Sequence, residues 1–351
     1  MTRLRAGLVG LGTMGRHHAR VLGDLPGVEL VGAIDPDPRA RGAARSVSAV
    51  AGLDELVALG IDICVVAAPT LMHADIGIRL AEAGVHTLIE KPLAPDLASA
   101  RLLTKAFEER RLVACVGHTE RYSPALRALR ARLGQGELGP VFQIATRRQG
   151  PFPARIRDVG VVMDLATHDI DFTQWVTGSH YLSVSAFTGR PSGGPHEDLV
   201  AVSGMLHDGT VTSHLVNWLS PMKERIVTVT GERGCLVADT IATELWFHRN
   251  GAVTAAGPPD RPFHGASEGD LIRYAVAKRE ALATELENFR DAVLGKPAEV
   301  VTMRQGVRTI EVASAMLAAA RDCSAVTLAA GEAGLAGQPA AAFAAGRQDA
   351  G

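Results

Sequence analysis

The chain has 351 residues, of which 47% are hydrophobic and 21% charged, and 36 basic against 38 acidic side chains leave a formal charge of -2. At ~150 residues per domain this length suggests two domains, and the composition excludes wholesale disorder. The charge balance lacks the basic excess of a nucleic-acid binder or a polybasic membrane anchor, and no apolar run approaches the ~18 residues of a membrane helix. Cys64, Cys115, Cys235 and Cys323 form no CxxC pair. Zinc knuckle and redox motif are therefore not expected, and a reducing, cytoplasmic setting is. Met1 to Gly15 is apolar but too interrupted for a signal peptide.

The first third alternates short apolar runs with amphipathic segments. Strands are expected over 5–10, 28–35, 62–69, 86–90 and 112–117, with helices over 14–22, 72–83 and 96–110. Strands apolar on both faces, alternating with helices, predict a parallel sheet covered on both sides. After Tyr122 the pattern changes. A helix is expected over 123–133, a strand over 141–148 and a helix over 161–176 capped by Gly178. Strands follow over 181–188, 199–206, 211–218, 226–230, 236–239 and 244–248, with hairpin signals at Asp208-Gly209 and Asn250-Gly251. Helices return over 281–293 and 305–320. The fold class is thus α/β: a dinucleotide-binding domain over 1–120 and a domain with a mainly antiparallel sheet over 121–330. The Ala/Gly-rich tail, 331–351, is expected to be disordered.

Gly10-Leu11-Gly12-Thr13-Met14-Gly15 is a GxGxxG between a strand and a helix. Gly10 suits the tight turn, Gly12 the approach of a pyrophosphate, and Gly15 the packing of helix on strand. The N–H groups of Thr13 and Met14 then open a helix whose partial positive charge favours phosphate. Asp35 follows Gly15 by 20 residues and suits the ribose hydroxyls, which favours NAD; a turn aspartate before Pro36 is the competing reading. Arg39 and Arg41 close by leave NADP open. Glu90-Lys91-Pro92 ends the fourth strand, where a cation faces the ligand crevice of such sheets.

Taken in order, GLGTMGRHHAR, AIDPDP, AAPTLMHADI, IEKPLA and MDLATHDID resemble the Gfo/Idh/MocA oxidoreductase family, over about residues 4–328. The resemblance implies a Rossmann domain, then an α/β domain whose open sheet face forms homodimers or homotetramers. It implies a cis Lys91-Pro92 bond and a nicotinamide resting by Pro69, Thr70 and Lys91, with His73 and Glu90 placed in the same cofactor region. It also implies a catalytic group of Lys91, Asp164 and His168. The residues agree: Asp164 and His168 stand four apart, one helical face apart by a turn, and a histidine is suited to taking a hydroxyl proton. Asp164 would orient the imidazole and Lys91 would stabilise the developing alkoxide.

Substrate residues are expected at His118, Arg121 and Tyr122 after the fifth strand, at Arg155 and Arg157 before the acid–base helix, and at Trp218. Arginines there suit phosphate, although surface ion pairing explains them equally. RRQGPFPARIRDVGVVMDLATHDID also resembles the branch containing UDP-N-acetylglucosamine 3-dehydrogenases. The expected activity is therefore NAD-dependent oxidation of a ring hydroxyl of a sugar or nucleotide sugar, at C3. Cyclitol oxidation, a glycosidase using transient C3 oxidation, and a non-catalytic nucleotide sensor are the alternatives. The scattered histidines lack metal spacing, so no metal is expected.

Overall fold

The computed structural model describes residues 3–41, 48–152, 159–251 and 267–329. Arg155, Arg157 and the tail expected over 331–351 lie outside them. Two compact units result, one from residues 3–119 and 280–311, the other from 120–279 and 312–329.

The first unit runs β1 (Leu4–Val9), α1 (Thr13–Asp24), β2 (Val28–Ile34), α2 (Pro38–Arg41), β3 (Ser48–Ala49), α3 (Leu53–Ala58), β4 (Ile63–Val66), α4 (His73–Glu82), β5 (His86–Glu90), α5 (Leu97–Glu109) and β6 (Ala114–Gly117). The strands pair in parallel in the order β3-β2-β1-β4-β5-β6. β4, Ile-Cys-Val-Val, is buried at every position, as a strand between two helical layers must be. The strand order reverses between β1 and β4, which opens a ligand crevice beyond the strand carboxyl ends. β3 and α3 escape sequence reading because two and six residues are too short for a period. Helix α8 (Ala281–Val293), far along the chain, adds Leu282, Leu286 and Phe289 to the core that α1 shares with the sheet.

The second unit runs α6 (Pro124–Gly134), β7 (Val141–Gln149), a π turn over Val162–Ala166 continuing into α7 (Thr167–Thr177), and then β8 (Tyr181–Gly189), β9 (Leu199–Leu206), β10 (Val211–Asn217), β11 (Glu224–Gly231), β12 (Gly234–Asp239), β13 (Glu244–Asn250) and β14 (Glu268–Tyr274). Helix α9 (Met303–Asp322) begins in the first unit and ends in the second, followed by β15 (Val326–Thr327). The nine strands lie in the order β14-β13-β12-β11-β7-β10-β9-β8-β15, every pair antiparallel except β7 with β10. Gly178 caps α7 in the left-handed conformation at φ 69°, as expected. The Asn250-Gly251 hairpin is corrected: β13 ends at Asn250 but its partner β14 starts at Glu268, so a long connection replaces the tight turn. β14 was not anticipated, because in Glu-Gly-Asp-Leu-Ile-Arg-Tyr only Ile272 and Tyr274 turn half-buried towards the core, too short an alternation to stand out. One sheet face packs Ile144, Val229, Leu236 and Phe247 against Leu126 and Leu129 of α6 and Phe172 and Trp175 of α7.

That covered face also holds a buried polar chain. His214 of β10 has Nε2 2.6 Å from the Tyr181 hydroxyl and Nδ1 2.8 Å from the Thr146 hydroxyl. Burial pushes the His214 pKa down to about 4, with Asp169 opposing and Arg148 assisting. The folded protein therefore keeps His214 neutral at a pH where the unfolded chain protonates it. This stabilisation is complete above the ordinary histidine pKa of ~6.5 and is lost as pH falls towards about 4. From pH 7 to pH 5 the loss amounts to ~2 kcal/mol. Urea unfolding of the wild type and of His214→Gln checks it: the variant flattens this limb of the stability–pH curve.

Candidate active site

The turn after β1 is built by backbones in contact. Gly10 has φ +93°, and a Cβ on it would sit 2.5 Å from the Ala67 carbonyl oxygen. A Cβ on Gly15 would lie 1.9 Å from the Gly10 carbonyl oxygen, so α1 rests directly on the turn. Around Gly12 the situation is opposite: a Cβ there meets nothing within 4 Å. Gly12 also precedes α1 without a side-chain cap, and no acidic residue occupies the helix's first turn. The Thr13 and Met14 end of α1 therefore keeps N–H donors and partial positive charge for an anion. Asp35 lies just past β2, where its Oδ2 accepts a 2.6 Å bond from the Leu11 N–H and its Oδ1 a 2.8 Å bond from the Asp37 N–H. One carboxylate thus fixes the phosphate turn and presents negative charge beside it. These features fit a dinucleotide with an unphosphorylated ribose.

The exits of β4 and β5 flank this turn in the same sheet. Pro69 is exposed and Thr70 buried after β4. Lys91 directly follows β5, and the Lys91–Pro92 bond is cis. Glu90, 6% exposed, has Oε1 2.7 Å from Nε2 of His18 on α1. Burial would raise the Glu90 pKa, but the His18 bond and the charges of His18, Lys91 and His73 together bring it below the usual carboxylate range. Glu90 is thus a buried anion behind Lys91. His73 is also buried, its Nδ1 3.0 Å from the Pro92 carbonyl and its Nε2 2.9 Å from the Ala68 carbonyl.

In the second unit the two residues expected to do acid–base work stand where the π turn becomes α7. Asp164 lies inside the π turn and His168 in the first turn of α7. Four residues fall slightly short of a π turn and slightly beyond an α turn, so both still occupy one face. Glu197 holds the start of this element: its carboxylate accepts 3.1 Å from the Val162 N–H and its carbonyl 2.9 Å from the Val161 N–H. Gly160 makes room, since a Cβ there would lie 2.1 Å from the Glu197 carboxylate. Asp169 and Asp171 point away from solvent into ion pairs. Arg148 Nε donates to Asp169 at 3.0 Å and its Nη1 to Glu120 at 2.8 Å, while Arg121 grips Asp171 bidentately at 2.7 and 2.6 Å.

Of the residues expected on the substrate side, His118 and Tyr122 are buried, and Arg121 is buried with two of its donors on Asp171. Trp218 is buried edge-to-face against Phe152, ring centres 5.6 Å apart. Sequence reasoning missed Arg148 and Glu197. The signal for Arg148 was alternation: it shares parity with Ile144 and Thr146, which face the core, so its charge had to be paired.

Residues 4–118 match the model of an oxidoreductase family with an NAD-binding Rossmann fold, and residues 130–328 match that family's C-terminal α/β domain. The chain belongs to the Gfo/Idh/MocA oxidoreductase family and is an NAD-dependent dehydrogenase. It is 30% identical over 296 residues to UDP-N-acetylglucosamine 3-dehydrogenase of Acidithiobacillus ferrooxidans, covering 84% of this chain and 90% of that one. It is 26% identical over 330 residues to scyllo-inositol 2-dehydrogenase (NAD+) of Bacillus subtilis, covering 88% and 92%. A solved structure of the Acidithiobacillus ferrooxidans enzyme superposes with a TM-score of 0.80 at 28% identity, covering 92% of this chain and 99% of that one. No described helix is long and apolar enough to cross a membrane.

The two glycines with opposite surroundings give a test. Gly12→Ala keeps the thermal midpoint and weakens NADH binding at least about 10-fold, because its methyl enters only the space left for phosphate. Gly15→Ala lowers the midpoint itself, because its methyl meets the backbone. Fluorescence titration with NADH and a thermal melt of each variant read the two effects separately.

Proposed function

We propose that this dehydrogenase oxidises a ring hydroxyl of a nucleotide-linked pyranoside, at C3 of a UDP-linked N-acetylamino sugar. The likeness to UDP-N-acetylglucosamine 3-dehydrogenase, in sequence over 84% of the chain and in fold, carries the substrate choice. Cyclitol oxidation ranks second, on the likeness to the inositol enzyme.

Lys91, Asp164 and His168 are the acid–base group in this reading. The His168 imidazole takes the proton of the reacting hydroxyl, Asp164 orients that ring, and the Lys91 ammonium stabilises the oxygen as its negative charge grows. NAD, when bound, supplies the hydride acceptor, and the C–O bond becomes C=O as the C–H bond breaks. Gly10, Gly12, Thr13, Met14, Gly15 and Asp35 would hold the cofactor's phosphates and ribose, and Pro69 and Thr70 would serve its nicotinamide end. Ketone reduction reverses each transfer. Arg155, Arg157 and Trp218 serve the sugar nucleotide, and His118, Arg121 and Tyr122 support them. The reducing cytoplasm remains the proposed setting, consistent with the free thiols of Cys64 and Cys115, buried in the first unit.

The test is a panel of UDP-sugars, sugar phosphates, free sugars and cyclitols with NAD, following NADH and released UDP together. UDP-N-acetylglucosamine should give NADH without UDP release. Lys91→Met and His168→Asn should each lose at least about 100-fold in kcat while NADH affinity changes less than about 3-fold. UDP release without NADH would instead establish the glycosidase, and turnover on cyclitols alone would move the substrate assignment.

We also propose that the open sheet face joins copies of this chain. Phe187, at 74% exposure, and Leu215 flank Ala201 in one cross-strand row, and Met205 and Val211 pair in a parallel row that also reaches Leu271. Exposed apolar side chains gathered on one sheet face suit an interaction surface. Phe187→Asp combined with Leu215→Lys should lower the mass measured by light scattering to that of a smaller assembly.

A further inference from the structure

Two arginines face each other across the centre of the nine-stranded sheet and are used differently. On β11, Arg225 alternates with Val227 and Val229, which face the core, and it stands opposite Arg148 of β7 in register. Arg148 spends Nε on Asp169 and Nη1 on Glu120. Half-buried Arg225 spends only Nη1, which donates to the carbonyls of Gln149 at 2.8 Å and Glu224 at 2.9 Å. Those two bonds fix the guanidinium to the strand ends. Its Nε and Nη2 N–H groups, which form one edge of the fork, find no acceptor among the described residues.

One row further along, Gly150 lies between Lys223 and Trp218, since Gln149 before it pairs with Glu224 on one side and Asn217 on the other. It leaves a gap: a Cβ built there would meet only the Lys223 Cγ, at 3.9 Å. Lys223 is exposed, and its ammonium has no carboxylate partner among the described residues. Trp218 is 5% exposed, and its buried indole N–H has no acceptor. A native fold rarely tolerates such a group, so the orphaned N–H marks an acceptor that comes from outside the chain.

Two cations and an indole N–H offer donors only. The ligand that answers them brings acceptors without donors, which a phosphoryl group does and a sugar hydroxyl does not. The free edge of a guanidinium matches two phosphate oxygens at once. The row that holds Arg225 also leads to the acid–base residues: Asp169, the partner of Arg148, directly follows His168, and the Asp164 carboxylate is near enough to Arg225 to favour its charge. We propose that Lys223, Arg225 and Trp218 form, around Gly150, a subsite for the diphosphate of the sugar nucleotide. The subsite rests on the nucleotide-linked substrate proposed above, and it makes the sugar ring the spacer between the diphosphate and the hydroxyl offered to His168.

Calorimetric titration of the NADH-loaded protein tests this, with UDP and inorganic pyrophosphate as probes, because bound NADH keeps both away from the phosphate turn at α1. Wild type should bind both. Lys223→Met, Arg225→Met and Gly150→Val should each weaken both at least about 10-fold, with NADH affinity within about 2-fold of wild type. Arg225→Met also loses the bonds to Gln149 and Glu224, so Lys223→Met, which removes no bond within the described residues, and Gly150→Val, which only fills the gap, keep binding separate from folding; thermal melts of both should match wild type. In turnover with UDP-N-acetylglucosamine and NAD, Lys223→Met should raise KM about 10-fold and change kcat less than about 3-fold. A wild type that binds neither probe, or variants that bind both as wild type does, would overturn the subsite. Probe binding that the variants lose, without any oxidation of UDP-N-acetylglucosamine, would uphold the subsite and sink the substrate assignment instead.

Discussion

The cofactor half of the protein depends on a crossing of three backbone segments at which no side chain fits. The carbonyl of Gly10 lies under the start of α1 at Gly15, and the chain leaving β4 at Ala67 closes over Gly10 from the other side. Dispersion and steric exclusion at such a crossing are unforgiving, because backbone atoms cannot rotate out of the way as side chains do. Once the crossing is made, other features follow from it. α1 points its uncapped end at open space, Asp35 reaches the Leu11 N–H, and the β4 and β5 exits both pass beside the buried His73 ring.

The second unit solves its positioning problem with charge. Helix α7 carries Asp169 and Asp171 into the interior, and each meets an arginine, Arg148 from β7 or Arg121 from the turn before α6. Buried ion pairs of this sort add little net stability, since desolvation consumes most of the attraction. Their directionality is what serves here: a bidentate guanidinium fixes the rotation of the helix about its axis as an apolar contact does not. Helix rotation decides where His168 faces. Asp169 and Asp171 are thus fastenings, and His168, just before them in the first turn of α7, remains partly exposed.

Much of the fold was legible because its signals are local. A glycine spacing after an apolar run gives the phosphate turn, unbroken apolar runs give the parallel strands, and Lys91 at the end of one of them faces the crevice by topology alone. The Asp164 and His168 spacing was legible as a shared helical face, although the π turn beneath it was not, since one extra backbone residue leaves no mark on a short periodic pattern. Partners distant in sequence were illegible. Nothing in His18 announces Glu90, and nothing in Arg121 announces Asp171. The amphipathic pattern of α8 declares a buried stripe without saying which sheet it covers. β14 is exposed along most of its length and its inward alternation is only Ile272 and Tyr274, too short to detect.

β7 occupies the centre of the nine-stranded sheet, between β11 and β10, and its parallel partner β10 arrives only after α7, β8 and β9. During synthesis, therefore, β7 emerges with neither neighbour available. The meander β8-β9-β10 forms by short connections and must then dock as a block, and β11 seals the other side later still. Pairings this distant are slow to close, because loop entropy is lost before any contact forms. Until residue 231 has left the ribosome, the inward face of β7, Arg148 included, has no complete sheet around it. The nascent chain is most exposed to misassociation in that interval, and assistance from a holding chaperone would matter most there.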